Sequence, residues 1–131
     1  MIIGSWGTSL VFSTSDEKIL TFNRFSHAVS SVWTGHSRVG KKDRSEFIRP
    51  GLQTVSFQMV LNANLGVRPR TMLDILNKAV EQGEVNILVI GGKRVGVNLW
   101  KIKNISEAWD VVLQQGELVK ATVQVSMEEY L

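Results

Sequence analysis

The strongest constraint on this chain is the alternation of apolar and polar residues between positions 119 and 127. Apolar residues hold the odd positions and polar residues the even ones: Val119, Ala121, Val123, Val125 and Met127 against Lys120, Thr122, Gln124 and Ser126. A period of two predicts a β-strand with one buried and one polar face, as in antiparallel sheets. Residues 54–61 repeat the pattern. We therefore expect a chain built mainly from antiparallel strands.

Weaker alternation marks further strands, and short polar or glycine-containing segments separate them. Strands are predicted at 9–13, 19–22, 27–35, 85–90, 100–103 and 109–113, and turns at 15–18, 91–94 and 114–117. Glycine in the last two turns can adopt the positive φ that tight turns require.

One helix is predicted between residues 70 and 82. Pro69 precedes the segment and Gly83 follows it, which are the usual signals of a helix start and a helix end. The apolar residues recur at helical spacing; they are Met72, Leu76, Ala79 and Val80, with Leu73 and Ile75 at the edges of the stripe.

The order is about five strands, one helix and four strands. It predicts a mainly β fold with one α-helix, namely an antiparallel β-sandwich or barrel with the helix on its flank and a long hairpin loop. The 131 residues are the size of one domain, so we expect a single domain over 1–131. Phe57, Leu76, Trp100 and Val123 should share one core.

The net charge of +3 comes from one short segment. Residues 36–50 hold five basic and two acidic residues, whereas the basic and acidic residues elsewhere balance. The segment lies between two predicted strands, 27–35 and 54–61. If those strands pair, it forms either a long mobile loop or the extended tip of a hairpin, and such segments are usually functional.

Three readings of the basic segment are ranked: contact with an acidic protein surface first, an inert solvated loop second, nucleic-acid binding third. Nucleic-acid binding normally adds a recognition helix or stacking aromatics, and the nearby aromatic here is Phe47. We predict that residues 38–49 are poorly ordered in an isolated subunit and become ordered against a neighbouring protein or the next copy of this chain. The predicted contact residues are Arg38, Lys41, Lys42, Arg44, Phe47, Ile48 and Arg49.

The residues that usually carry chemistry point to no active site. His27 and His36 are nine residues apart on one predicted strand, which places them on opposite faces. Glu128 and Glu129 are adjacent and are expected in a solvated tail. The glycines of 91–96 lack the spacing and the following helix of a phosphate-binding loop. The four tryptophans are expected in the core or at subunit interfaces.

Composition excludes several other classes. The chain has no cysteine, which rules out disulfides and thiolate metal sites. Its longest apolar run, residues 87–90, is far below the roughly 20 residues of a membrane helix. We expect no secretory signal, no membrane partner, no metal and no cofactor.

The order of motifs along the chain resembles the GpU-type phage tail protein family, small tail-assembly proteins of contractile-tailed phages and related bacteriocin particles. The similar segments are 1–7, 19–22, 29–33, 47–52, 55–57, 65–69, 83–84, 88–92, 105–107 and 129–130, with Trp100 and Trp109. One departure is Asn86-Ile87, where similar sequences have His-Pro.

The resemblance implies a structural protein and not an enzyme: a tail-tube-like subunit that forms a ring, expected to be hexameric, in a virion tail or phage-tail-like particle. The implied partners are other copies, the tail tube, the hub and other baseplate proteins, with assembly in the host cytoplasm. The ring is expected at the baseplate end as a tube initiator, and nucleic acid only passes through its channel. The alternatives are a head-proximal tail terminator and, from another class, a basic β-barrel that binds nucleic acid.

Overall fold

The chain forms antiparallel strands with one α-helix between the seventh and the eighth, within the residues described by the computed structural model, which are 2–14, 19–20, 22–113 and 115–131. A 3-10 turn, Ala63–Leu65, leads into the helix. The elements are β1 (Ile2–Trp6), β2 (Leu10–Thr14), β3 (Ile19–Leu20), β4 (Phe22–Ala28), β5 (Ser31–His36), β6 (Arg44–Pro50), β7 (Thr54–Asn62), α1 (Pro69–Glu81), β8 (Val85–Asn86), β9 (Leu88–Ile90), β10 (Lys93–Arg94), β11 (Leu99–Val112) and β12 (Leu118–Tyr130).

The strands make three antiparallel sheets. Sheet A has the order β10-β9-β1-β2-β3, and sheet B has the order β4-β7-β12-β11-β8. Sheet B curls into a half-barrel. The third sheet is the two-stranded hairpin of β5 and β6. The mainly β fold with one helix on its flank is therefore confirmed.

The two strongest predicted strands lie side by side in the middle of sheet B. Their cross-strand pairs include Val125 with Phe57 and Val123 with Met59. All four side chains are buried, since partners in a strand pair share a face of the sheet. In β7 and β12, the alternating apolar residues of the sequence therefore face the core, and most of the polar residues between them face outward.

The core lies between sheet A, the inner face of sheet B and the helix. Phe57, Leu76, Trp100 and Val123 belong to one buried cluster, as predicted. The phenylalanine rings of residues 12, 22, 25 and 57 pack together at centroid distances of 4.8–6.1 Å. The buried Trp6 indole donates to the Trp100 carbonyl at 3.0 Å, so its polar atom is satisfied within the core.

The helix begins and ends where its sequence signals lie. Pro69 is its first residue, and Gly83 has a φ of 65° just beyond its end. The Glu84 N–H bonds to the Ala79 carbonyl at 3.0 Å, and the Gly83 N–H bonds to the Val80 carbonyl at 3.4 Å. This pair of bonds is the Schellman arrangement that a left-handed residue makes possible.

The predicted turns and strand limits are confirmed in part. Gly91 and Gly92 form the β9–β10 turn with positive φ, and Gly116 does so in the β11–β12 turn. The turn predicted at 15–18 lies outside the described residues. The prediction of single strands over 27–35 and 85–90 is wrong, because each is split by an unpaired connection. Residues 109–112 end a 14-residue strand and Leu113 lies just beyond it, and β1, β6 and β10 were not predicted.

Candidate assembly surfaces

The basic segment forms the outer half of an exposed β-hairpin. β5 and β6 pair over six cross-strand positions, from Ser31 opposite Pro50 to His36 opposite Arg44. The extended-hairpin alternative is therefore confirmed and the long-loop alternative is wrong. Residues 44–49 are paired in β6, and the expectation that residues 38–49 become ordered against a partner stays a prediction. Only residues 37–43 form the connection at the tip.

The structure brings all seven predicted contact residues onto this hairpin. Arg38, Lys41 and Lys42 lie in the tip, and Arg44, Phe47, Ile48 and Arg49 lie on β6; all seven are exposed. Gly40, with a φ of 66°, completes the tip turn, in which the Lys41 N–H bonds to the Arg38 carbonyl at 3.4 Å. The cations are thus displayed on a backbone with a defined turn.

The hairpin also carries apolar surface that the sequence only partly indicated. The Phe47 and Trp33 rings form an edge-to-face pair at 5.3 Å, and both side chains are about half exposed. Ile48 is the extra residue of a β-bulge between two register pairs. Trp33 was assigned to core or interface packing; the structure places it beside Phe47 on the exposed hairpin.

The base of the hairpin is fixed to the sheets. The Gly51 N–H bonds to the Ser30 carbonyl at 2.9 Å, which closes the two strands together. The Glu129 N–H donates to the Gln53 carbonyl at 2.9 Å, and the Gln53 N–H donates to the Glu129 carboxylate at 3.2 Å. Asn98 Nδ2 donates to the same carboxylate at 2.8 Å. The expectation of a solvated 128–129 tail is therefore wrong, because Glu129 is buried in a hydrogen-bonded junction.

The neighbouring carboxylate, Glu128, faces the other side of β12. Its oxygens lie 3.3 Å from Lys101 Nζ and 3.5 Å from Lys103 Nζ. The hydrogen bond from Lys101, together with the charge of Lys103, lowers the pKa of the Glu128 carboxyl below its ordinary value, although partial burial acts in the opposite direction. This carboxylate therefore remains ionised throughout the neutral range.

Sheet B has open edges on both sides. β4 pairs only with β7 in the described part of the chain, and its ladder is interrupted near Arg24, which has a φ of 52°. Among the described residues, β8 pairs with the outer side of β11 at Trp100 and Lys101 alone. Residues 103–112 thus present backbone donors and acceptors that another strand can pair with.

The far half of the β11–β12 hairpin, which we call the acidic ribbon (residues 104–113 and 115–119), is exposed at most positions, although Leu118 belongs to the core. It carries Glu107, Asp110 and Glu117, whereas the sequence from 104 to 119 contains no lysine or arginine. Its exposed apolar side chains are Trp109, Val111, Val112 and Leu113. This surface was missed because its charges are spread along a strand, yet the run without a cation was a usable signal.

The remaining candidates have structural roles. His27 lies on β4, 2.9 Å from Gln53 Oε1, and His36 lies on β5, 2.8 Å from Glu46 Oε2, so the assumption of one shared strand is wrong. Trp6 and Trp100 are core residues. In the described ranges, no group of three or more His, Asp or Glu residues is arranged to hold a metal.

Open sheet edges and exposed apolar ribbons are typical of structural proteins that function in assemblies. The chain belongs to the Phage P2 GpU family, which it matches over residues 9–131. It is therefore a phage tail structural protein, a component of the virion tail, and the resemblance noted in the sequence is confirmed. No curated protein matches the chain. None of the described helices has the length and apolar character needed to cross a membrane.

Proposed function

We propose that this protein forms a hexameric ring at the baseplate end of a contractile tail, where the ring joins the central hub to the first ring of the tail tube. The 131 residues act as one tail-tube-like domain, in a phage or a related bacteriocin particle assembled in the host cytoplasm. The observation that carries the proposal is the curled sheet B with both of its edges open.

Strand direction favours joining copies edge to edge. All neighbours in sheet B are antiparallel, so β4 runs in the direction of β12 and opposite to β11. A β4 strand placed beside β11 of the next copy therefore continues the antiparallel pattern. Repetition of such a head-to-tail contact closes a ring when the rotation between copies fits.

The outer face of sheet B suits the lining of a channel. Its central rows include neutral polar residues, with Ser126 beside Ser56 and Gln124 beside Gln58. Nucleic acid is bound mainly through cations that neutralise its phosphates. A face with this composition lets nucleic acid pass without holding it.

The exposed hairpin contacts a neighbouring tail protein. Its apolar residues, Phe47 and Ile48, would set the lifetime of that contact, whereas Lys41, Lys42 and Arg44 would steer association. Neutralising these three cations should therefore slow assembly in a salt-dependent manner. Replacing Phe47 with alanine should yield particles that lack the attached neighbour.

The ring is tested by proline substitutions at two adjacent positions of β11, Ser106→Pro and Glu107→Pro. Backbone N–H groups of successive strand residues point alternately to the two edges. One variant therefore loses a bond to β12 and is destabilised, whereas the other keeps its fold and blocks only the open edge. Native mass spectrometry should give six times 14.6 kDa for the wild type and a single chain for the folded variant. If both proline variants fold and both still form the ring, edge pairing is refuted.

Position along the tail is tested on purified particles with an antibody to this chain. Label at the baseplate end supports the proposal, and label at the head-proximal end supports the terminator alternative. The basic β-barrel alternative predicts binding to duplex DNA that falls steeply between 50 and 200 mM salt. We expect no such binding.

A further inference from the structure

We infer that Glu129 is a positioning residue, which sets the direction in which the exposed hairpin of β5 and β6 leaves the body of the protein. The inference rests on the proposed contact between that hairpin and a neighbouring tail protein, and it names the residue that orients the contact surface. Glu129 lies on β12 and is 9% exposed. Among the described residues it is the one charged side chain that is buried.

The hairpin depends on its base for its direction. Within the described ranges, β5 and β6 pair only with each other and join neither of the larger sheets. All residues of β6 are exposed, and none of those in β5 is buried. The direction of the hairpin is therefore set by its two connections, residues 29–30 and 51–53.

One hydrogen bond joins these two connections to each other. The Gly51 N–H donates to the Ser30 carbonyl at 2.9 Å. A Cβ at Gly51 would lie 2.5 Å from the Ser30 hydroxyl oxygen, so the two segments pass in close contact. This contact closes the hairpin but includes no residue of a larger sheet. The attachment of the second connection to sheet B therefore depends on the residue next to β7, Gln53.

Glu129 holds the main chain of Gln53 on both sides of its Cα atom. The β7–β12 ladder ends with Thr54 opposite Glu128, and the next pair in the same register is Gln53 with Glu129. The Glu129 N–H donates to the Gln53 carbonyl at 2.9 Å, as in an antiparallel ladder. The reciprocal bond differs, because the Gln53 N–H donates to the Glu129 side-chain carboxylate at 3.2 Å. A side chain thus replaces a backbone carbonyl where the chain enters β7.

A second donor fixes the carboxylate. Asn98 lies in the connection that precedes β11, and its Nδ2 donates to the other carboxylate oxygen at 2.8 Å. Gly96 of the same connection has a φ of 71°, and a Cβ there would lie 3.3 Å from Gln53 Oε1. The same Gln53 oxygen lies 2.9 Å from His27 Nε2 on β4. The base of the hairpin is thus bonded to β4, to β12 and to the residues before β11.

The positioning role accounts for a carboxylate in a buried place. The groups that donate to Glu129 are neutral N–H groups, whereas the amines of Lys101 and Lys103 lie beside Glu128. Burial of a carboxylate costs free energy unless hydrogen bonds satisfy it, and an apolar side chain of similar volume avoids that cost. Such a side chain has no acceptor for the Gln53 N–H. Glu129 supplies that acceptor and so fixes the base of the hairpin.

A fixed direction lowers the cost of binding. A hairpin that points one way in the free subunit loses less conformational freedom when a neighbour binds it. Its aromatic pair, Trp33 and Phe47, is then presented at a defined place relative to sheet B. Removal of the Glu129 acceptors should therefore weaken attachment of the neighbour, although every contact residue of the hairpin is unchanged.

The test compares Glu129→Met with Glu129→Gln and Glu128→Met. Methionine at position 129 keeps an unbranched side chain of similar length and removes both acceptors. Glutamine keeps an acceptor for the Gln53 N–H, and rotation of the Asn98 amide lets its oxygen accept from the new amide group. Glu128→Met is the matched control, because it removes the adjacent carboxylate, whose partners are the two lysines.

Double electron–electron resonance measures the direction of the hairpin in the full chain. The native chain has no cysteine, so nitroxide labels can be attached at Gly35→Cys on β5 and Gln124→Cys on β12, both exposed. Labelled chains are mixed with an excess of unlabelled chain, so that distances within one copy are measured. Gly35 lies outside residues 38–49, so order at the tip does not enter. A second label pair, Asn77→Cys with Gln124→Cys, reports whether α1 and sheet B keep their places.

Glu129→Met should broaden and shift the distance distribution between residues 35 and 124 and leave that between residues 77 and 124 unchanged. Its Gln53 amide should exchange with solvent about tenfold faster or more, because the acceptor is lost. Glu129→Gln and Glu128→Met should match the wild type in both measurements. An unchanged 35–124 distribution in folded Glu129→Met overturns the inference, and so does equal broadening by either of the other two variants.

Asn98→Ala is the milder variant if Glu129→Met does not fold. It removes one of the two donors to the carboxylate and leaves both backbone bonds of Gln53 in place. The 35–124 distribution should then broaden less than the loss of both acceptors would cause, but beyond that of the wild type. A distribution identical to that of the wild type would overturn the inference.

The outcomes separate this inference from the proposed function. Tail particles with Glu129→Met should lose the attached neighbour, as those with Phe47→Ala should. If the hairpin changes direction and the neighbour stays attached, the positioning role stands and the proposed hairpin contact is overturned. If the hairpin keeps its direction, the positioning role is overturned, whereas the proposed ring and its neighbour contact stand.

Discussion

Truncation of Phe57 to alanine should remove a large part of the stability of this protein. Its side chain is fully buried, and its ring lies 5.6, 5.9 and 6.1 Å from those of Phe12, Phe22 and Phe25. Burial of such a side chain stabilises by roughly 1.5–3 kcal/mol. The cavity left between sheet strands raises the cost of its removal to about 3–5 kcal/mol.

That loss is large against the roughly 5–15 kcal/mol by which most domains are stable. Urea unfolding followed by tryptophan fluorescence and circular dichroism measures it, provided the slope with urea is unchanged. Phe47→Ala is the matched control, because Phe47 also lies on a strand but is 50% exposed and has one aromatic partner. It should cost less than about 1.5 kcal/mol. A loss below about 1 kcal/mol for Phe57→Ala would refute the assigned core.

Two further changes test single contacts. Glu128→Gln should lower the stability at pH 7, and the difference from wild type should vanish in acid. The pKa of Glu128 is lowered in the folded state, so the carboxylate stabilises the fold at pH values above its ordinary pKa of 4.5. This contribution is lost as the pH falls through the pKa of the folded state. Equal loss at pH 7 and pH 3 would refute the role of the charge. Gly4→Ala should cost about 1–3 kcal/mol, because a Cβ would lie 2.5 Å from the Val89 carbonyl oxygen. Gly35→Ala, with open space around it, should stay within about 0.5 kcal/mol of wild type, and equal effects of the two glycine changes would contradict the close strand approach.

The parts of the fold that sequence predicted are those with one buried face. β7 and β12 alternate because the core lies on one side of them only, and α1 was bounded by Pro69 and Gly83. β6 could not be found in this way. All seven of its residues are exposed, so its sequence has no alternation of buried and exposed residues that would predict a strand. Its pairing comes from the hairpin with β5.

Of the two candidate surfaces, the hairpin was located from its charge, whereas the acidic ribbon was not predicted. The imbalance over 36–50 located the hairpin and its cations, since nothing in a core requires five cations in fifteen residues. The acidic ribbon escaped notice because only its end, 109–113, was recognised as a strand. β11 continues for eleven residues beyond its contact with β8, and exposed strand residues carry no burial pattern.

The two-residue strand β8 limits how another chain can add to sheet B. It pairs with the outer side of β11 at Trp100 and Lys101, and no other pairing follows further along within the part of the chain that the structure describes. A strand sliding along the open edge toward Leu99 would collide with β8, so β8 acts as an end stop. Strands with two polar faces specify their register weakly. In the proposed ring, a fixed stop would remove that freedom, and every added copy would pair at the same position along the edge as the one before it.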